Sequence, residues 1–213
     1  MAKISTRPVP LGWRHTTTPE CLSTGINEVD AMLGGFSRGR ISEIVGPVSS
    51  GRTTLLHGVL AAATARREHC VLVDARDGFD PPSAGARGVV LEKLIWIRCG
   101  GNAESALRAC DLVLHSGGFG VVALDLAEMS PNVLRRIPPT TWFRFRRAVE
   151  STPTLFVVVA GQPLARTCAS ILVETRRRKV AFPRGMEFEV AARKPVGREP
   201  AAFHVRLHPL AAG

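Results

Sequence analysis

The sequence predicts one α/β domain: a mostly parallel sheet with helices on both faces, lengthened at its C-terminal end by antiparallel strands. Three observations predict it. Short apolar, β-branched runs recur at 70–75 (CVLVDA), 94–99 (LIWIRC), 121–126 (VVALDL) and 154–161 (TLFVVVAG), with helical stretches between them. A glycine loop at 46–53 separates an apolar strand from a helix start. Beyond it, ILVETRRRKVAF, MEFEVAARK and AAFHVRLHP alternate in period two and are divided by Pro and Gly, as hairpin-linked strands are.

Taken in order, residues 1–22 are rich in Pro, Thr and Arg without periodicity and read as a loose arm. Residues 23–35 read as a short helix, with Ser23 or Thr24 as its cap and the Gly34-Gly35 pair as its end. The strand ISEIV leads into the glycine loop, and TTLLHGVLAAATARR at 53–67 is helical by composition. Further helices are expected at 103–115 and 140–150, between the apolar runs. The organisation is therefore an arm at 1–22, a core at 23–178, and a basic β-extension at 179–213 packed on that core.

With 213 residues and 45% hydrophobic content, the chain can bury one sizeable core. A formal charge of +10 favours an anionic partner, nucleic acid before membrane. Residues 176–213 hold nine Lys/Arg against three Glu, so +6 of that excess lies at the C-terminal end. The five cysteines include no CxxC pair, which points to neither a disulfide framework nor zinc, and fits a reducing cytosol. His204 and His208 lie four apart on an expected strand, about 13 Å from each other, too far to share a metal ion. No apolar run is long enough to span a bilayer, and no signal peptide opens the chain.

The loop Gly46-Pro47-Val48-Ser49-Ser50-Gly51-Arg52-Thr53 follows the phosphate-cradling pattern GxxxxGK[ST], except that Arg52 stands where lysine is required. In that pattern backbone N–H groups surround a phosphate, the lysine neutralises its oxygens, and the hydroxyl holds Mg²⁺. A guanidinium keeps the charge but is too wide for the place of an ammonium.

Residues 23–55, STGINEVDAMLGGFSRGRISEIVGPVSSGRTTL, resemble the opening of the bacterial RecA recombinase core. The resemblance continues through Val73-Asp74-Ala75, Phe79-Asp80-Pro81, the strand ending at Asp125, and Leu155 to Gln162. It implies ATP and Mg²⁺ as ligands of Gly46, Ser49, Ser50, Gly51, Arg52, Thr53 and Thr54. Thr53 would supply the metal hydroxyl, Asp125 would orient the metal through water, and Asp80 would lie near adenine. Three positions depart from the family. Arg52 replaces the lysine, Arg76 replaces the glutamate that activates water, and Ser83 replaces the aromatic that stacks on adenine. A cation at 76 cannot act as a general base. Asp77 is the nearest substitute, with its side chain expected to point elsewhere. These losses argue against turnover. They leave two outcomes open: nucleotide held without hydrolysis, or a loop kept for the turn it makes.

The N-terminal polymerisation helix and the C-terminal domain of RecA are expected to be lacking here, the first from the unpatterned opening residues and the second from the chain length. Only eight residues separate Gln162 from the strand at Ile171, so the DNA loop that follows this glutamine in RecA is expected to be absent. Gln162 then reads as a satisfied polar residue at a strand end. LRRIPPTTWFRFR at 134–146 replaces the first DNA loop.

The short core and this segment are similar to the RecA-like mutagenesis accessory proteins of the ImuA (SulA-like) group. That similarity implies a non-catalytic role in DNA-damage-induced translesion synthesis in the cytoplasm, at the nucleoid. RecA, an inactive Y-family polymerase homologue and an error-prone replicative-type polymerase would be its partners, with docking at a RecA filament end. Basic candidates for DNA or partner contact are Arg135, Arg136, Arg144, Arg146, Arg147, Arg176, Arg177, Arg178 and Lys179. Trp142, Phe145 and Val149 should share one apolar helical face, with Arg144 and Arg147 on another. No base-reading motif accompanies these residues, so DNA contact would be non-specific and salt-dependent. Two other readings stand beside this one: a slow DNA-stimulated ATPase using Arg52 and Asp77, and a stand-alone DNA-binding module with a purely structural pocket.

Overall fold

Each of the four β-branched runs forms a strand of one eight-stranded sheet. The structure, a computed structural model, describes residues 20–181 and 185–205. In chain order the elements are β1 (Cys21–Leu22), α1 (Asn27–Leu33), β2 (Phe36–Ser37), β3 (Ile41–Val45), α2 (Arg52–Ala65), β4 (Cys70–Asp74), α3 (Pro81–Ala86), β5 (Leu94–Arg98), α4 (Ala103–Ser116), β6 (Val121–Asp125), α5 (Pro131–Leu134), α6 (Pro139–Val149), β7 (Leu155–Ala160), β8 (Ala169–Ala181), β9 (Gly185–Lys194) and β10 (Ala201–Val205).

The sheet order is β10-β9-β8-β3-β7-β6-β4-β5, parallel from β8 to β5 and antiparallel across β8-β9-β10. Side chains alternate across the central strands and feed two cores. Ile44, Leu72, Ala123 and Val157 pack beneath α1 and α2, while Val71, Val73, Val122 and Phe156 pack beneath α4 and α6. Both faces are covered, which is why these strands are apolar throughout rather than alternating. Trp142, Phe145 and Val149 supply the buried face of α6, as their spacing predicts.

Residues 1–19 of the expected arm lie outside the described residues, and its end, Cys21–Leu22, pairs with Phe36–Ser37. The first helix starts later than its capping signals suggest. Ser23 donates to Asp30 and Thr24 accepts from the Ile26 N–H, so both tie the turn ahead of α1. Gly34 ends α1 in the left-handed conformation, as expected. β8 is continuous through 178, where the sequence reading divides core from extension. His208 lies outside the described residues.

Candidate nucleotide site and basic surfaces

The five residues of β3 are all buried, and the chain leaves the sheet at Gly46. A Cβ at Gly46 would sit 2.4 Å from the Thr175 carbonyl oxygen and 2.5 Å from its hydroxyl, so β8 closes on the loop where only glycine fits. Gly51 turns the chain into α2 at φ +93, and a Cβ there would meet the Phe188 ring at 2.9 Å. Phe188 and Phe203, stacked 5.4 Å apart on β9 and β10, therefore form a floor under the loop.

Ser50 is buried with its hydroxyl 2.7 Å from that of Thr175, so its side chain braces the loop and only its backbone faces outward chemistry. Ser49 and Thr53 are exposed, and Thr54 is half-buried. No side chain caps α2 and no acidic residue lies in its first turn, which leaves its first N–H groups open to an anion. Cradle and Thr53 hydroxyl thus suit a phosphate with its metal.

The cation does not. Arg52 is only 5% exposed and runs across to the β6–α5 connection, where Nη2 pairs with Glu128 at 3.0 Å and Nη1 reaches the Ala127 carbonyl at 3.5 Å. Its carboxylate partner is therefore Glu128 on the connection and not Asp125 at the end of β6. Asp125 ends β6 in register with Asp74 and accepts the Ala127 N–H at 2.8 Å. Burial pushes its pKa up from 3.8 to about 6, and the Asp74 charge adds to the rise.

Water activation fares no better. Arg76 is exposed, and Asp77 bonds Arg98 and the Gly100 N–H, each at 3.2 Å, on the β5–α4 side. Asp80 is the N-cap of α3, accepting the Ser83 N–H at 3.1 Å. Its carboxylate has a complete local role without a ligand.

The basic candidates divide into two groups. Around α6, Arg144 bonds Asp111 at 2.8 Å, Arg146 lies 3.7 Å from Glu150, and Arg147 is exposed beside Phe143. Arg135 donates to Asn132, and Arg136 is exposed. On β8, Arg176 pairs with Glu174 at 2.6 Å, and Arg178 lies 3.4 Å from Glu189 and 3.9 Å from Glu187. A bulge between Arg177 and Lys179 puts Arg178 on the carboxylate side, while Arg177 alternates to the face of Thr175. Lys179 stands in register with Glu187. Arg176 and Arg178 are thus answered by Glu174, Glu187 and Glu189, which weakens the run as a phosphate track. Local pattern carries no sign of Glu128, Thr175, Phe188 or Phe203, since their roles depend on strands meeting from opposite ends of the chain.

Among the described residues no cluster of His, Cys, Asp or Glu could hold a metal by itself, and no helix is long and apolar enough to cross a membrane. Residues 6–133 match the family model of the RecA N-terminal domain. This chain belongs to the RecA family. It is 40% identical to protein RecA of Laribacter hongkongensis over 108 residues, 50% of this chain and 30% of that protein. To protein RecA of Haemophilus ducreyi it is 41% identical over 124 residues, 57% of this chain and 33% of that one. It spans about a third of the length of these curated relatives. The crystal structure of the RadB recombinase superposes with a TM-score of 0.66 at 18% identity, covering 86% of this chain and 95% of RadB.

Proposed function

We propose that this RecA-family chain is a non-catalytic accessory protein of DNA-damage-induced translesion synthesis. In this reading it holds RecA, an inactive Y-family polymerase homologue and an error-prone replicative-type polymerase together, and touches DNA non-specifically at the nucleoid. The observation that carries the non-catalytic reading is the Arg52–Glu128 pair. The one cation of the phosphate loop already has a carboxylate partner, so the loop is charge-balanced with no nucleotide. Arg76 and Asp77 support it, since neither is placed to accept a proton from water.

ATP and Mg²⁺ fit the cradle in part. The loop N–H groups and the first turn of α2 would receive phosphate, and Thr53 the metal. Binding would have to draw Arg52 from Glu128 or proceed without it.

Mg·ATP binding and phosphate release, measured with and without single-stranded DNA, test the reading. We expect weak binding, no DNA-stimulated turnover, and tighter binding in Glu128→Ala, which frees Arg52. Phosphate release that is stimulated by DNA and lost in Asp125→Ala would sink the reading in favour of the slow ATPase. A stand-alone DNA-binding module would instead lose function when Arg176, Arg177 and Arg178 are replaced and tolerate Arg52→Ala. The partner half of the proposal fails if the purified protein binds RecA filaments at neither end.

A further inference from the structure

The short β7–β8 connection and the α5–α6 segment face each other across a partly open groove of about 180 Å³. Ile137, Trp142, Phe143 and Leu164 give it apolar walls, and Arg135, Gln162, Arg166 and Thr167 add polar groups to the lining. Among the described residues no Asp or Glu contributes to that lining.

The groove is preformed. One wall is anchored from beneath by Glu43, a fully buried β3 carboxylate that accepts the Leu164 N–H at 2.7 Å and the Ala165 N–H at 2.9 Å. The opposite wall rests on Leu134 and Trp142, both packed into the core. Phe143, by contrast, is 51% exposed and forms the ridge between this groove and the hollow of Arg144 and Arg147. Arg166 is exposed with φ at +50, a conformation disfavoured for a side chain with a Cβ and retained only where surrounding structure imposes it.

We propose that this groove docks an acidic protein segment, which inserts one large apolar side chain and sets carboxylates against Arg135 and Arg166. Three features select that occupant. A cavity of about 150 Å³ takes a benzene-sized group, so a groove of about 180 Å³ has room for a single large side chain. Guanidinium groups pair with carboxylates in bidentate geometry, and a lining without carboxylates leaves nothing to repel them. The apolar space between Trp142, Phe143 and Leu164 seats a hydrophobic side chain, which a peptide supplies and a phosphate backbone does not. The inference names a partner chemistry and stands apart from the catalytic status of the phosphate loop, so the two can fail separately.

A displayed library of random dodecapeptides, selected on the full chain and counter-selected on Phe143→Glu and Arg166→Glu variants, tests it without a guess at the partner. Thermal melts confirm that both variants fold, as substitutions at exposed positions should allow. The expected outcome is enrichment of peptides with Leu, Phe, Met or Trp flanked by Asp or Glu. In fluorescence anisotropy an enriched peptide should bind at least tenfold more weakly to each variant, and again when its acids become amides. Enrichment of peptides without acids would overturn the proposal, as would enrichment that survives counter-selection or a failure to enrich at all. Displacement of the peptide by equimolar oligo(dT), with the same loss in both variants, would reassign the groove to nucleic acid.

Discussion

Asp125→Asn measures what it costs to keep a carboxylate at the end of β6. Burial is the main cause of its raised pKa, opposed by the Ala127 N–H and by Arg52. The rise from 3.8 to about 6 is worth at most about 3 kcal/mol. Asp125 keeps part of its surface open to water, and screening there trims the cost toward about 1–2 kcal/mol. A carboxyl with a higher pKa in the folded chain binds its proton more tightly when folded. Its favourable contribution is complete below pH 3.8 and is lost as pH rises through about 6. Asparagine carries no such charge, and its side-chain oxygen can still accept the Ala127 N–H. Urea unfolding of both proteins across this range should show the variant more stable at pH 8, with the difference shrinking toward pH 4. In thermal melts the gain should be about 2–4 °C per kcal/mol for a chain of this size. Parallel stability curves at every pH, or a variant less stable at pH 8, would refute the argument that desolvation governs this carboxyl.

Other substitutions probe the packing that holds the site. Gly46→Ala drives a methyl into the Thr175 carbonyl and should cost about 1–3 kcal/mol or more in chemical denaturation. Phe188→Ala empties the floor beneath Gly51; a loss of about 3–5 kcal/mol is expected, with limited proteolysis reporting a loosened phosphate loop. Arg38 is 7% exposed and binds Glu68 at 2.7 Å together with the Gly120 and Pro153 carbonyls, so Arg38→Ala should cost about 3 kcal/mol or more. His57 is buried on α2 with neither ring nitrogen hydrogen-bonded among the described residues. Burial, then the Arg87 charge, pushes its pKa down from 6.5 to about 4. Wild-type stability should therefore fall as pH drops from 6.5 toward 4, while His57→Leu, free of that titration, should keep a flatter profile and equal or greater stability at neutral pH.

Much of the sheet was legible in the sequence because fully buried parallel strands read as continuous β-branched runs, and each run at 70, 94, 121 and 154 forms its strand within a residue or two. The helix of Trp142, Phe145 and Val149 was legible for the matching reason, a 3.6-residue period. Local hydrogen-bonding alternatives were harder to read. Ser23 and Thr24 have the chemistry of caps but spend it on Asp30 and Ile26, two turns of chain that a linear pattern does not distinguish. The bulge at Arg178 was equally silent, since pairing register is set by the partner strand and not by the basic run itself.

By itself the sequence determined the fold class, the place of the phosphate loop at the end of β3, and the arginine that stands at 52 where the loop pattern calls for lysine. These depend on residue type and on periodicities of a few residues, which local sterics and burial impose directly. Only the tertiary structure decided what the loop does with them. Arg52 finds Glu128 at a separation of 76 residues, and Ser50 finds Thr175 at 125. Such partners are brought together by strand order, with β8 on one side of β3 and β7 and β6 on the other. Contacts of that range leave no trace in spacing, so the charge balance of the site belongs to the packed sheet.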